Sequence, residues 1–287
     1  MKEINQKPIA KKTTKTYKVV KHNSLVMLKS EEAFTITQQK LVCHLVANIK
    51  PKDDDFALKK VNIKDLDFVN DGTKNHAWFR KEFLKLLKMP FQIPGDGGYA
   101  NWFSYLKYKD GFIEYSFDPR LKPFLLNLKS NFTMYNLDNV LRLKTNYAIQ
   151  TYELLMKNKG MKSFEMTIED FKEYLHFPKS YQNGELKRFL VKIQEEIKEN
   201  TTLQFDFTFK KNGHSFSEIL FKTKNNKKIK DVSYEGNKAT IELLKNGKQQ
   251  EMFKEEIVVA AIETKVEDTN KSLKDKLKNL RLINDRQ

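Results

Sequence analysis

Cysteine is nearly absent from this 287-residue chain, where Cys43 stands alone. One thiol closes no internal disulfide and builds no cysteine-based zinc site. Cys43 sits in an apolar run, LVCHLV, and reads as a small core residue. Long hydrophobic runs are missing as well. No stretch approaches the roughly 20 residues that a membrane-spanning helix needs. The start, MKEINQKPIAKKTTK, is basic but has no apolar segment behind it, so it does not read as a secretion signal. These absences predict a protein of the reducing cytoplasm without membrane association.

Catalytic patterns are lacking too. The histidines His22, His44, His76, His176 and His214 form no His-x-His pair of the kind that holds a metal in DNA-nicking enzymes. There is no GxxxxGK[ST] phosphate loop, no His-Glu-x-x-His and no Gly-x-Ser-x-Gly. The cluster Gly95-Asp96-Gly97-Gly98 lacks the lysine of a phosphate loop and reads as a flexible loop. Asp53-Asp54-Asp55 reads as a solvated turn, because a metal site needs ligands that converge in space. Neither catalysis nor a cofactor is expected.

Positive charge, by contrast, is abundant. Lys and Arg number 53 against 37 Asp and Glu, for a net charge of +16. Such a surplus calls for a polyanionic partner, since each cation near a phosphate releases counterions. The charge is uneven. Residues 1–18 form a polar, Lys-rich arm. Residues 225–287 are highly charged but nearly balanced. In that tail Val259, Val266, Leu273 and Leu280 recur at heptad spacing, which fits either a short coiled coil or a loosely attached, partly disordered helix.

Between arm and tail, one architectural plan occurs twice. In the first half a helix opens at Thr37-Gln38-Gln39 with Leu41, Val42, Leu45, Val46 and Ile49 on its apolar side. A short strand follows over 56–61, then a brief helix over 63–68. A second amphipathic helix runs over 75–87 and is stopped by Pro90. Two strands, 102–108 and 112–117, are joined by Asp110-Gly111, a strong hairpin signal. The second half repeats the order: helix 146–156, strand 164–167, helix 168–176, helix 183–199, strand 203–209 and strand 216–221, with Asn212-Gly213 at the hairpin. This is the plan of a winged helix, a helix-turn-helix with a β-hairpin appended. The fold class is therefore α+β, with two tandem winged-helix domains over 19–130 and 131–224 and a helical charged tail. The joint over 117–145 is rich in Leu and Phe and should pack rather than swing freely.

A helix-turn-helix lays its second helix in the major groove of duplex DNA. In the second half that helix is 183–199. Leu190, Ile193 and Ile197 would face the core with Phe189. Asn183, Lys187, Arg188 and Lys192 would face outward, and Lys179 and Tyr181 precede the helix with donors suited to phosphates. Arg188 is the residue best suited to grip guanine. Glu185 suits either cytosine N4 or the helix cap. In the first half the polar set is Lys74, Asn75, His76, Arg80 and Lys81, while Trp78, Phe79, Phe83, Leu84 and Leu87 mix core positions with one exposed aromatic. Lys210, Lys211 and His214 flank the second hairpin turn, and Lys107 and Lys109 the first. A basic helix face is often merely solvated. Two such helices at equivalent places, each backed by a basic wing, favour DNA contact.

Several segments in order resemble the iteron-binding plasmid replication initiators, the Rep proteins of theta-replicating plasmids. They are VVKHNSLV, TITQQKLVCHLVANI, FSYLKYKDGFIEYSFDPRLKPFLLNLKSNFTMYNL, LRLKTNYAIQTYELLMKN and LKRFLVKIQEEIKENTTLQFDF. The resemblance covers roughly 17–223. One departure is Gln150, where many members carry arginine. The resemblance implies a non-enzymatic protein that binds directly repeated double-stranded DNA sites with both winged helices. It implies origin opening, contact with host replication proteins such as helicase and initiator, and a monomer–dimer equilibrium in which the dimer represses its own gene. A double winged-helix transcriptional regulator without a replication role is the alternative that residue patterns alone leave open. An unconventional nuclease is a third.

Overall fold

The computed structural model describes residues 17–226, apart from 29, 31, 51, 67–75, 179 and 214, together with residue 229. The basic arm up to residue 16 and the tail beyond 226, apart from residue 229, lie outside the described residues. So does the end of the brief helix expected over 63–68, of which a 3₁₀ turn at Ile63–Asp65 is described.

The first repeat begins with strand β1 (Lys18–His22), a short helix α1 (Asn23–Val26) and helix α2 (Ile36–Ala47). Thr35 caps α2: its hydroxyl accepts from the Gln38 amide at 3.3 Å, and Gln38 Oε1 accepts from the Thr35 amide at 3.0 Å. This reciprocal box fixes the start of the helix one residue before the expected one. Strand β2 (Lys59–Asn62), helix α3 (His76–Leu87), a small ribbon β3 (Phe91–Gln92) and β4 (Tyr99–Ala100), and strands β5 (Phe103–Lys109) and β6 (Phe112–Phe117) follow. Asp110 and Gly111 turn the β5–β6 hairpin with φ of 52° and 76°, the left-handed pair that a tight two-residue turn requires. The glycine cluster read as a flexible loop is instead the turn of the β3–β4 ribbon. Ile93 N donates to Gly98 O at 2.7 Å, with Gly95 and Gly97 at positive φ.

After β6 come helix α4 (Lys122–Leu125), strand β7 (Phe132–Asn136) and helix α5 (Leu137–Arg142). The second repeat then has α6 (Asn146–Lys157), β8 (Phe164–Thr167), α7 (Ile168–Tyr174), α8 (Asn183–Asn200), β9 (Leu203–Asn212) and β10 (Ser215–Asn225). Its sheet order, β8-β10-β9, matches the order β2-β6-β5 of the first repeat, and all strands are antiparallel. The same topology in both halves makes the chain a pair of winged helices. The turn between α7 and α8 is a Schellman motif. Phe177 N donates to Lys172 O at 2.8 Å, His176 N donates to Glu173 O at 3.0 Å, and His176 takes the left-handed conformation with φ of 52°. Helix α7 therefore stops at Tyr174 and not at His176.

The joint packs, as its composition predicts. Leu121, Leu125, Leu126, Leu137, Val140 and Leu143 are all buried. Strand β7 returns to pair antiparallel with β1, from Lys18–Asn136 to His22–Phe132. The buried residues of both repeats then form one continuous cluster. Beside it Lys21 on β1 meets Glu153 on α6, Nζ to Oε1 at 2.7 Å, with side-chain exposures of only 6% and 4%. The Tyr135 hydroxyl on β7 donates to the same carboxylate, and the Cys43 thiol on α2 lies 3.6 Å from it. Cys43 is buried, as its apolar run predicts, and burial pushes its pKa up to about 12.

Candidate nucleic-acid interface

Helix α8 owes its orientation to three anchors. Leu186, Leu190, Ile193 and Ile197 are buried at helical spacing. Phe189, half-buried, packs edge-on against Tyr147 at 5.0 Å and Phe177 at 4.9 Å. Glu196 accepts from the amides of Lys144 and Thr145 at 2.6 and 3.0 Å and from the Thr145 hydroxyl at 3.0 Å. Thr145 in turn caps α6, so these bonds tie α8 to the start of that helix. With one side held, the opposite side is fixed in solvent. Lys187, Arg188 and Lys192 are exposed, as expected, and Asn183 in the first turn is half-exposed. By the 3.6-residue period Arg188 lies opposite the buried stripe, with Lys187 and Lys192 on its two flanks. Glu185 is taken by the cap: its carboxylate accepts from the Gln182 amide at 2.6 Å. Tyr181 is half-buried, its ring 5.8 Å from Phe177 and its carbonyl accepting from Lys172 Nζ at 2.6 Å.

Helix α3 repeats the arrangement. Phe79, Phe83 and Leu86 are buried. Glu82 is buried beside them and accepts from the Thr35 hydroxyl at 3.3 Å and from Lys85 at 3.4 Å. Arg80 and Lys81 are exposed, at the helical steps that Lys187 and Arg188 occupy on α8. Lys85, which sequence reasoning passed over, stands where Lys192 stands. The large exposed apolar residue described on α3 is the aliphatic Leu84, at 54%, and not an aromatic one, while Trp78 is half-buried. His76 begins the helix. Lys74, Asn75, Lys179 and His214 fall outside the described residues.

Residues 18–156 match the family model described as initiator replication protein, WH1, and residues 167–223 match that of initiator Rep protein, WH2. The chain belongs to the Rep initiator family. Among solved structures, this Rep chain is similar to the Pi initiator protein crystallised in complex with iteron DNA. Identity is 19% and the TM-score 0.60, over 75% of this chain and 99% of that one. The likeness is one of fold. Within the Rep family model, α6 is grouped with the first winged helix. In space it packs on α8 and takes the place in the second repeat that α2 takes in the first.

The two wings of this Rep protein differ in what they offer. Lys210 on β9 is half-buried and reaches across β10 to an ion pair with Glu165 on β8. Lys211 is exposed, its ammonium 5.2 Å from the centre of the Phe216 ring. Phe216 is the direct cross-strand partner of Lys211, which places the ring beside it, and a bulge follows between Phe216 and Glu218. On the first wing Lys107 pairs in register with Glu114, and Lys109 lies 3.9 Å from Asp110. Asp53 and Asp55, read as a solvated turn, hold Lys59 and Lys122 across the first repeat. On the first wing's strands Tyr115 is buried in the core and Tyr105 is exposed. No described helix is long and apolar enough to cross a membrane.

Proposed function

We propose that this chain is a plasmid replication initiator that binds directly repeated double-stranded DNA sites, the iterons of its origin. The two reading modules are 19–130 and 131–224. Helices α3 and α8 enter the major groove, with Asn75, His76, Arg80, Lys81, Asn183, Lys187, Arg188 and Lys192 toward the DNA. Lys74, Lys179, Tyr181, Lys210, Lys211 and His214 serve the phosphates beside them. Of the wing lysines Lys211 has the freer ammonium, because Lys210 must first leave Glu165. The observation that carries this reading is the repetition itself: two equivalent helices, each pinned on one side and cationic on the other. The Pi neighbour was crystallised on iteron DNA, which supports the choice of ligand and favours the initiator over a transcriptional regulator. Origin opening, recruitment of host helicase and initiator, and self-association belong to the same proposal. So do a cytoplasmic location and action without catalysis.

Footprinting on the DNA that flanks the gene tests it. Protection of directly repeated sites is expected, whereas a lone palindrome would reject the initiator reading. Arg188→Ala is expected to weaken binding to those sites by at least about 1 kcal/mol and to relax base preference at one position. An equal loss on every sequence would make Arg188 a phosphate contact instead. Nicking of supercoiled origin DNA in the presence of a divalent metal would overturn the non-catalytic part.

A further inference from the structure

The exposed faces of α3 and α8 carry more than charge. Each has a branched aliphatic residue at its centre, Leu84 on α3 at 54% exposure and Val191 on α8 at 39%. The positions are equivalent. Going along each helix, Arg80 and Lys81 lead to Leu84 and then Lys85, and Lys187 and Arg188 lead to Val191 and then Lys192. By the 3.6-residue period Leu84 lies between Arg80 and Lys81 as seen down the axis, and Val191 between Lys187 and Arg188. All of these residues are exposed. A lone aliphatic residue on a solvated helix face is ordinary, but here one aliphatic among three cations recurs at the equivalent place in both repeats. The core does not account for it, since Phe79, Phe83 and Leu86, and Leu186, Leu190 and Ile193, already fill the buried sides.

In the major groove the one apolar feature a base pair presents is the C5 methyl group of thymine, and apolar side chains read it by contact. The cations around Leu84 and Val191 suit the phosphates and guanine edges that flank such a methyl. We infer that Leu84 and Val191 are specificity-determining residues, each packing on a thymine methyl group in the initiator's binding site. The inference rests on the proposal that α3 and α8 enter the major groove.

Deoxyuridine separates this contact from the rest of the interface, because it pairs like thymidine and lacks only the methyl. The probe is a duplex selected by the full-length protein from a random library, made once with thymidine and once with deoxyuridine throughout. Wild-type protein is expected to bind the uracil duplex about 15-fold more weakly, roughly 4-fold for each lost methyl contact. The Leu84→Ala/Val191→Ala variant is expected to lose as much on the thymine duplex and to bind both duplexes within twofold of each other. A base-by-base uracil scan should find two sensitive thymines, one silenced by each single variant. Equal wild-type binding to both duplexes, or full uracil sensitivity in the double variant, overturns the inference. So does a change in self-association by the double variant with DNA affinity intact, which would make the pair a protein contact. Arg188→Ala is the control for the underlying reading: it should weaken binding to both duplexes and stay sensitive to uracil. If it leaves affinity unchanged, base reading by α8 itself fails, whatever the uracil result.

Discussion

Replacing Glu153 by glutamine removes one charge from the buried pair while keeping the side chain's shape. The wild-type carboxylate lies 2.7 Å from Lys21 Nζ and also accepts from the Tyr135 hydroxyl, and both charged side chains are almost fully out of water. Glu153→Gln leaves the Lys21 ammonium buried without a counter-charge, which costs about 3–5 kcal/mol. That is a large share of the roughly 5–15 kcal/mol that holds a typical domain folded. At a urea slope of about 2–3 kcal/mol per molar, the unfolding midpoint should fall by roughly 1–2.5 M. Lys21→Met removes the other charge, and the double variant has no uncompensated ion. It should recover most of the loss, since replacing both members of a buried pair by uncharged groups is often near neutral. A double-mutant cycle read from urea melts by circular dichroism then gives a coupling of about 2 kcal/mol or more. A cost below about 1 kcal/mol for Glu153→Gln, or a coupling near zero, would refute this account of the joint.

Cys43 should resist alkylation in the native chain at mildly alkaline pH and react readily after urea unfolding. Its burial and its pKa of about 12 keep the thiolate from forming, and rapid native labelling would contradict that. Burial lowers the pKa of His22 and of His176 below the ordinary 6.5, so the fold holds both neutral while the unfolded chain takes up protons as pH falls. Their contribution to stability is therefore present above about pH 6.5 and lost as pH drops below it. His22 Nδ1 accepts from the Ser24 amide at 3.2 Å, and His176 is left-handed. Asparagine suits both positions, so His22→Asn/His176→Asn should flatten this part of a thermal-melt pH profile; an unchanged slope would reject the assignment. DNA affinity should fall roughly 10³-fold or more between about 50 and 200 mM salt if six or more phosphates are contacted. A shallow slope in a titration would mean a largely uncharged interface.

The winged-helix plan was legible because local patterns encode it. The step from helical to alternating periodicity marks α8 against β9, and Asp110-Gly111 announces its hairpin through a backbone conformation that few residues tolerate. The outward placement of Lys187, Arg188 and Lys192 followed from the buried stripe beside them. What the sequence concealed is long-range. Nothing in KVVKH over 18–22 says that it will pair with residues 132–136, because strand pairing across a repeat leaves no local trace. The meeting of Lys21 with Glu153 is hidden for the same reason. Leu84 was grouped with core positions because periodicity ranks apolar residues as buried, and only packing shows that Phe83 and Leu86 leave it outside. The short helix α7 was read too long because the left-handed turn at His176 uses a residue that does not advertise it.

The clasp of β1 on β7, with an ion pair behind it, makes the two winged helices behave as the fixed jaws of a caliper. Such a tool measures as well as reads. A base pair added between the two stretches it grips would advance one target along the axis and turn it about the duplex, where neither jaw can follow. If both winged helices grip one duplex as proposed, recognition then depends on distance as well as on letters.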